Sequence, residues 1–308
     1  MTHPDPSMNI ALKVDVDTLR GTLEGVPRLL RLFDEFHVHA TFLFSLGPDH
    51  TGRALLRIFR PGFLTKVRRT SVARHYGFKT LLYGTLLPGP DIARRGREVM
   101  RACVTAGHEV GIHAYDHVKW QDRVACRDAR WTELEMRYAC DAFTQVFATA
   151  PRTHGAAGWQ INPHALALEQ RFAFDYASDT RGRCAYYPML DGVRSLCPQL
   201  PTTLPTLDEL IGRDGTTETN VHERVFAASR CILPQGHIYT LHAELEGLRL
   251  LPVMRELLTL WRGNGARIGN LRAVYAALDL ERLPTHRVDR GQVPGRSGAL
   301  AIQGRLET

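Results

Sequence analysis

The 308-residue sequence predicts one parallel α/β domain, folded as a distorted (β/α) barrel. Three observations carry that expectation. Strand-like runs of β-branched and apolar residues alternate with helix-spaced segments from Asn9 to about Leu283. No linker interrupts them, and ionisable residues sit just past the ends of three strand-like runs. Repeated strand–helix units build a parallel sheet covered by helices. In parallel barrels the carboxyl ends of the strands form the functional rim. Hydrophobic residues at 44% and charged residues at 23% supply a sizeable core with an ordinary polar surface.

Taken in order, Ile10 to Val16 reads as a strand. Pro27 then stands where a first-turn proline belongs, with Val26, Leu29, Leu30 and Phe33 as an apolar helical stripe. Ala40 to Leu46 is a second buried strand. Asp91 to Ala106 is a helix stopped by Gly107, and Glu109 to His113 is a short strand. Trp131, Leu134, Tyr138 and Ala142 recur at helical spacing. A helix over Pro163 to Arg171 precedes a strand within Phe172 to Ala177, and one over Val221 to Cys231 precedes His237 to His242. Val253 to Arg262, Ala266 to Ile268 and Leu271 to Ala277 close the body at about residue 283. Residues 284–308, rich in Gly, Arg and Pro, read as a tail. There is no internal repeat.

One stretch breaks the rhythm. Thr51 to Pro90 contains no Asp or Glu but eight cations, Arg53, Arg57, Arg60, Lys66, Arg68, Arg69, Arg74 and Lys79, interleaved with large apolar residues. This is the composition of an amphipathic insertion at a membrane interface, its cations toward anionic head groups. Phe59, Arg60, Phe63, Lys66, Arg68 and Arg69 are the expected membrane contacts. A solvated basic helix packed by its apolar side on the barrel fits the same composition. The formal charge of +7 also favours an anionic partner. No nucleic-acid motif accompanies the charge, so nucleic acid is not an expected partner.

The six cysteines (Cys103, Cys126, Cys140, Cys184, Cys197, Cys231) show no CxxC spacing and read as reduced thiols. Met1 to Pro6 lacks the basic and apolar regions of a signal peptide, and no run is long enough to span a bilayer. The expected location is therefore the cytosol or the cytoplasmic face of the inner membrane, as a peripheral protein.

The chemistry concentrates in three segments: Asp15-Val16-Asp17, His113-Ala114-Tyr115-Asp116-His117 and Thr240-Leu241-His242-Ala243-Glu244. With 14 histidines, chance alone gives roughly 0.6 pairs four residues apart, so His113/His117 is weak evidence by itself. The two aspartates alone could cap a helix, and His242 alone could be a hydrogen-bonded core histidine. Placement changes the weight. Three strand ends carrying ionisable groups would be a costly way to build a core, because buried charge must be paired. Two carboxylates, a histidine pair and a lone histidine are enough to bind one divalent metal, activate a water and protonate a leaving amine.

These segments resemble the polysaccharide deacetylase (NodB-homology) family of metal-dependent carbohydrate amidases. The likeness runs from Leu12 to about Gly298. It takes in Arg20-Gly21-Thr22, Glu24-Gly25-Val26-Pro27-Arg28, Gly47-Pro48-Asp49, Gly107-His108-Glu109-Val110-Gly111, Ala156-Ala157-Gly158-Trp159, Ser178-Asp179-Thr180-Arg181-Gly182, Thr203-Leu204-Pro205-Thr206 and Ile211-Gly212-Arg213-Asp214. The resemblance implies a NodB-type distorted barrel. It makes Asp15 the general base, Asp17, His113 and His117 the metal ligands, and His242 the general acid. It implies one divalent metal, zinc first, with Mn, Co, Ni or Fe also compatible with two imidazoles and a carboxylate.

Within the family the matches point to a branch that deformylates an undecaprenyl-phosphate-linked formamido-arabinose. The implied setting is lipid A modification and polymyxin resistance. A polyprenyl-phosphate-linked sugar and the anionic inner-membrane surface are then the expected partners. Arg20, Trp159, Arg181, Arg213 and Glu244 are the candidates for gripping sugar and phosphate.

The family's third motif usually holds an arginine that orients the base. Here His154 stands in that stretch with Arg152 nearby, leaving Arg152 or Arg181 to take that part. An N-deacetylase of another N-acyl sugar or of peptidoglycan is the nearest alternative activity, and a non-catalytic membrane-binding protein is an alternative of another class.

Overall fold

The computed structural model describes residues 8–54 and 80–307. In chain order the elements are β1 (Asn9–Val16), α1 (Val26–Glu35), β2 (Thr41–Ser45), α2 (Ile92–Thr105), β3 (Glu109–Ala114), α3 (His117–Arg123), α4 (Ala129–Phe147) and β4 (Thr153–His154). Next come α5 (Pro163–Arg171), β5 (Tyr176–Ala177), β6 (Tyr187–Leu190), β7 (Val193–Arg194), α6 (Leu207–Leu210), α7 (Val221–Ser229) and β8 (His237–His242). The chain ends with α8 (Leu251–Gly263), β9 (Arg267–Gly269), α9 (Leu271–Ala276), β10 (Thr285–Gln292) and β11 (Ala299–Leu306).

The body is a curled parallel sheet in the order β5-β4-β3-β2-β1-β8, with β9 pairing the first residues of β1. Its central strands are buried on both faces, so they read as continuous apolar runs without alternation. The irregular segment 199–204 lies between the two edge strands. The amide of Leu200 donates to the Ala177 carbonyl (2.7 Å) and that of Thr203 to the Ile238 carbonyl (3.0 Å). Backbone groups of β5 and β8 that an open sheet would leave unpaired are satisfied this way. All strands point the same way, so their carboxyl ends share one rim.

Helix starts follow local chemistry. The side chains of Asp91, Asp116, Asp128 and Asn162 accept amides in the first turns of α2, α3, α4 and α5. Gly107, at φ +80°, ends the α2 region. The helix expected around Trp131 to Ala142 is present as α4, but its buried face differs. Leu134 and Tyr138 are exposed, while Met136, Ala139, Phe143 and Val146 enter the core. The reason lies in Glu135, which is buried and paired with Lys119, so a charged position belongs to the inner face.

Residues 284–308, read as a tail, hold the antiparallel pair β10/β11, which joins β6 and β7 in a second sheet in the order β11-β10-β6-β7. Val288, Leu300 and Ala301 bury its inner side. Backbone bonds from Arg181 to Ala301 (3.0 Å) and from Gln303 to Arg181 (2.7 Å) fasten it to the barrel rim. The expected membrane contacts Phe59, Arg60, Phe63, Lys66, Arg68 and Arg69 lie outside the described residues. Among the described residues no helix is long and apolar enough to cross a membrane.

Candidate metal centre and active site

β1 ends at Val16, placing Asp15 within the strand and Asp17 on the turn beyond it. β3 supplies His113, and the chain turns at once into α3, of which His117 is the first residue. The four-residue histidine spacing therefore spans a strand-to-helix turn, not one helix face. Asp116 caps that helix, accepting the Lys119 amide (3.0 Å), and its other oxygen meets His50 Nδ1 (2.6 Å). The two imidazoles stack with centroids 5.2 Å apart. Asp17 Oδ1 lies 3.2 Å from His113 Nε2 and 3.4 Å from His117 Nε2.

His113 Nδ1 donates to the Gly155 carbonyl at 2.6 Å, which leaves Nε2 with its lone pair toward Asp17. That is how a metal-binding imidazole is fixed in tautomer and orientation. Burial would push the Asp17 carboxyl up. The imidazoles of His117, His113 and His242 outweigh it and hold Asp17 well below the usual carboxylate range. Asp17 Oδ1 is buried without a hydrogen-bond donor. One oxygen and two nitrogens within 4.8 Å of one another, with that oxygen unbonded, fit a divalent cation.

Asp15 and His242 are brought beside this ligand set by strand pairing. They are register partners on β1 and β8, and the Ala243 amide continues the ladder to the Asp15 carbonyl (3.0 Å). Asp15 Oδ1 lies 3.8 Å from His113 Nδ1, and both Asp15 Oδ1 and His242 Nδ1 are buried without hydrogen-bond partners. All five residues singled out by the sequence thus converge on one rim.

The expected gripping residues behave less uniformly. Glu244 is fully buried. Its Oε1 accepts the amides of Asp17 (3.1 Å) and Thr18 (2.8 Å) and the Thr18 hydroxyl (2.7 Å), so it clamps the turn that carries Asp17 and does not lie open to a ligand. A Cβ on Gly21 would fall 1.9 Å from that oxygen, which is why glycine is needed there. Trp159 is buried, its indole donating to Thr202 (3.2 Å), with the guanidinium groups of Arg296 and Arg181 4.6 Å and 5.0 Å from its ring centre. Arg181 is held by Glu209 (2.5 Å) and the Leu204 carbonyl (2.9 Å). Trp159 and Arg181 therefore act as props, their polar atoms already engaged, whereas Glu244 props the turn through Oε1 alone and its Oε2 is buried without a hydrogen-bond partner. Arg20 pairs with Glu24 at 3.2 Å. Arg213 lines a cleft of about 310 Å³ with Arg181, Glu209 and Arg224, and its side chain makes no hydrogen bond among the described residues.

The residues proposed to orient Asp15 stand elsewhere. His154 lies between Glu169 (2.9 Å) and Asp179 (3.0 Å), and Arg152 pairs with Asp175. Sequence reasoning missed Lys13, whose Nζ is 3.5 Å from Asp15 Oδ2. A lysine in a strand buried on both sides was the available signal. It also missed Glu246, which accepts the His242 amide (2.9 Å) and the Tyr239 hydroxyl (3.2 Å). Burial raises the Glu246 carboxyl to about 7 despite the nearby His242 imidazole.

No family model matches the chain. Among curated proteins it is 34% identical over 302 residues to a Shewanella sediminis protein named "Probable 4-deoxy-4-formamido-L-arabinose-phosphoundecaprenol deformylase ArnD", covering 96% of this chain and 95% of that protein. The chain belongs to the ArnD deformylase family. A Wigglesworthia glossinidia brevipalpis protein of the same name is 28% identical, over 93% of this chain and 99% of that one. The fold is shared with a candidate polysaccharide deacetylase from Mycobacterium smegmatis at a TM-score of 0.64 and 18% identity, covering 95% of this chain and 98% of that one. The strand-end histidines and aspartates described above therefore sit on a polysaccharide deacetylase barrel in an ArnD-family chain.

Proposed function

We propose that this chain hydrolyses the formyl amide of an undecaprenyl-phosphate-linked 4-deoxy-4-formamido-L-arabinose, releasing formate and leaving the free 4-amino sugar on its lipid. The observation that carries the reading is the pairing of Asp15 with His242 across β1 and β8, beside the Asp17–His113–His117 set, in a chain of this family.

Asp17, His113 and His117 would hold the ion, and a divalent metal so bound polarises an amide carbonyl and lowers the pKa of a water. Zinc suits this donor set, as do Mn, Co, Ni and Fe. Asp15 Oδ1, free of hydrogen bonds, takes the proton of the attacking water. His242 delivers a proton to the sugar nitrogen as the C–N bond breaks. Glu246 holds the His242 backbone, and Glu244 holds that of Asp17. We assign Arg213, in the cleft it shares with Arg224, to the phosphate of the substrate, on the strength of those two cations. The acid-free basic stretch between Thr51 and Pro90 gives the enzyme a reason to sit on the anionic cytoplasmic face of the inner membrane, where a polyprenyl substrate resides.

A mass-spectrometric assay of formyl loss from the lipid-linked sugar tests the reading, using metal-depleted protein with single metals added back. Formate release that depends on the metal is expected. Faster release of acetate from the matched acetamido lipid would replace deformylation with deacetylation.

A further inference from the structure

Lys13 is fully buried in the middle of β1, two residues before Asp15 and so on the same face of the strand. Its ammonium donates to the Ser178 carbonyl at 2.9 Å, lies 3.5 Å from Asp15 Oδ2 and stands 5.4 Å from the centre of the Trp159 ring. Gly155 leaves space for it, since a Cβ there would come within 3.1 Å of Lys13 Cε. An ammonium with no access to water is strongly unfavourable unless it is paired. Among the described residues its one ionic pairing is to Asp15.

The arrangement divides the two oxygens of Asp15. Oδ2 is turned to Lys13, while Oδ1 has no donor and lies on the His113 side. We propose that Lys13 is the positioning residue of the active site. It locks the Asp15 carboxylate so that a single oxygen, Oδ1, serves as the base. Trp159 and the Ser178 carbonyl hold the ammonium in place, and Arg181 and Arg296 pack against the same indole. The cation that steadies the base thus comes from the base's own strand. His154, Arg152 and Arg181 are all engaged with other carboxylates.

The inference rests on the deformylase reading, and wild-type protein on the lipid-linked formamido sugar separates the two. No formate from metal-loaded wild type overturns that reading and this inference with it. Given an active wild type, Lys13→Met is expected to lower kcat by about 10²-fold, the scale of a reacting group misplaced by an ångström. KM should move less than about threefold and metal content stay close to wild type, while the melting temperature falls because Asp15 is left buried without its cation. Lys13→Arg, which keeps the cation, is expected to recover most of the lost kcat.

The discriminating arm is the same change in an Asp15→Asn background. A residue acting through Asp15 should produce no further loss there, whereas a merely structural residue would lower both backgrounds alike. Should the methionine variant fail to fold, Lys13→Gln, which keeps a donor for the Ser178 carbonyl, carries the same measurements. Unchanged kcat in the neutral variants overturns the proposal, as does a loss confined to KM or metal content, or one of equal size with and without Asp15.

Discussion

Among the described residues two clusters of histidine and carboxylate lie in the barrel, and by proximity alone they are alike. Asp17–His113–His117 and His154–Glu169–Asp179 each offer three ligand atoms within 4.8 Å. They differ in what their atoms already do. Asp179 Oδ1 accepts the Ala156 amide (2.6 Å) and its Oδ2 the Gln199 side chain (2.6 Å), while His154 Nδ1 is shared by both carboxylates. No atom of this trio is buried without a partner, whereas Asp17 Oδ1 is. A saturated cluster has no capacity left for an ion; a cluster with an orphaned oxygen does. The second trio instead ties β4, α5 and β5 together under the rim that the first one uses.

The largest expected effect separates the clusters by activity. Asp15→Asn and His242→Ala should each lower kcat for formate release by about 10²–10⁴-fold, the usual weight of a general acid or base. Glu169→Gln should leave kcat of the folded enzyme within a few-fold. Metal content sharpens the same contrast. Asp17→Asn or His117→Ala should abolish stoichiometric zinc binding measured by elemental analysis after dialysis, and Glu169→Gln should not. Zinc retained by His117→Ala and lost from Glu169→Gln would reverse the assignment of the two clusters.

Stability should respond in the opposite sense. Removing one partner of a buried charged network leaves the others uncompensated, so His154→Ala should cost about 3–5 kcal/mol in urea unfolding. In metal-free protein Asp17→Asn should cost less, because Asp17 Oδ1 accepts no hydrogen bond that the change would break. Equal losses at the two positions would erase the distinction.

How much of this the sequence discloses depends on whether a residue's partner is local. The five proposed site residues were legible because they cluster at or just past the ends of apolar runs that read as strands, and parallel strands share a rim. The helices over Pro163 to Arg171 and Val221 onward were legible from caps and periodicity. Lys13 was not, because a cation in a buried strand takes its meaning from Asp15, Ser178 and Trp159 together. The difference between His154 and His113 was equally hidden, since Glu169 and Gly155 enter from other elements. The β10/β11 pair was hidden by Gly-rich composition whose few buried residues pack only once the hairpin exists.

The smallest expected effect is a pH slope. Burial opposes a charge on His154, but Asp179 and Glu169 overcome it and raise the imidazole to about 10. An unfolded histidine titrates near about 6.5. Between those values the folded state binds the proton that the unfolded state has released, so stability must fall as pH rises. The contribution is fully present below about 6.5 and is lost on approaching about 10. Glu169, pushed well above its ordinary range chiefly by burial and by Asp179, adds to the slope in the same direction. His154→Gln removes the titrating imidazole while keeping a side chain that can donate to a carboxylate. Its unfolding free energy should therefore vary less between pH 7 and 9 than that of wild type. His113, at the other cluster, belongs to a set whose occupancy by metal also changes with pH. Chelated protein must be used for both, and a slope unchanged by His154→Gln would mean that the buried trio carries no proton that folding controls.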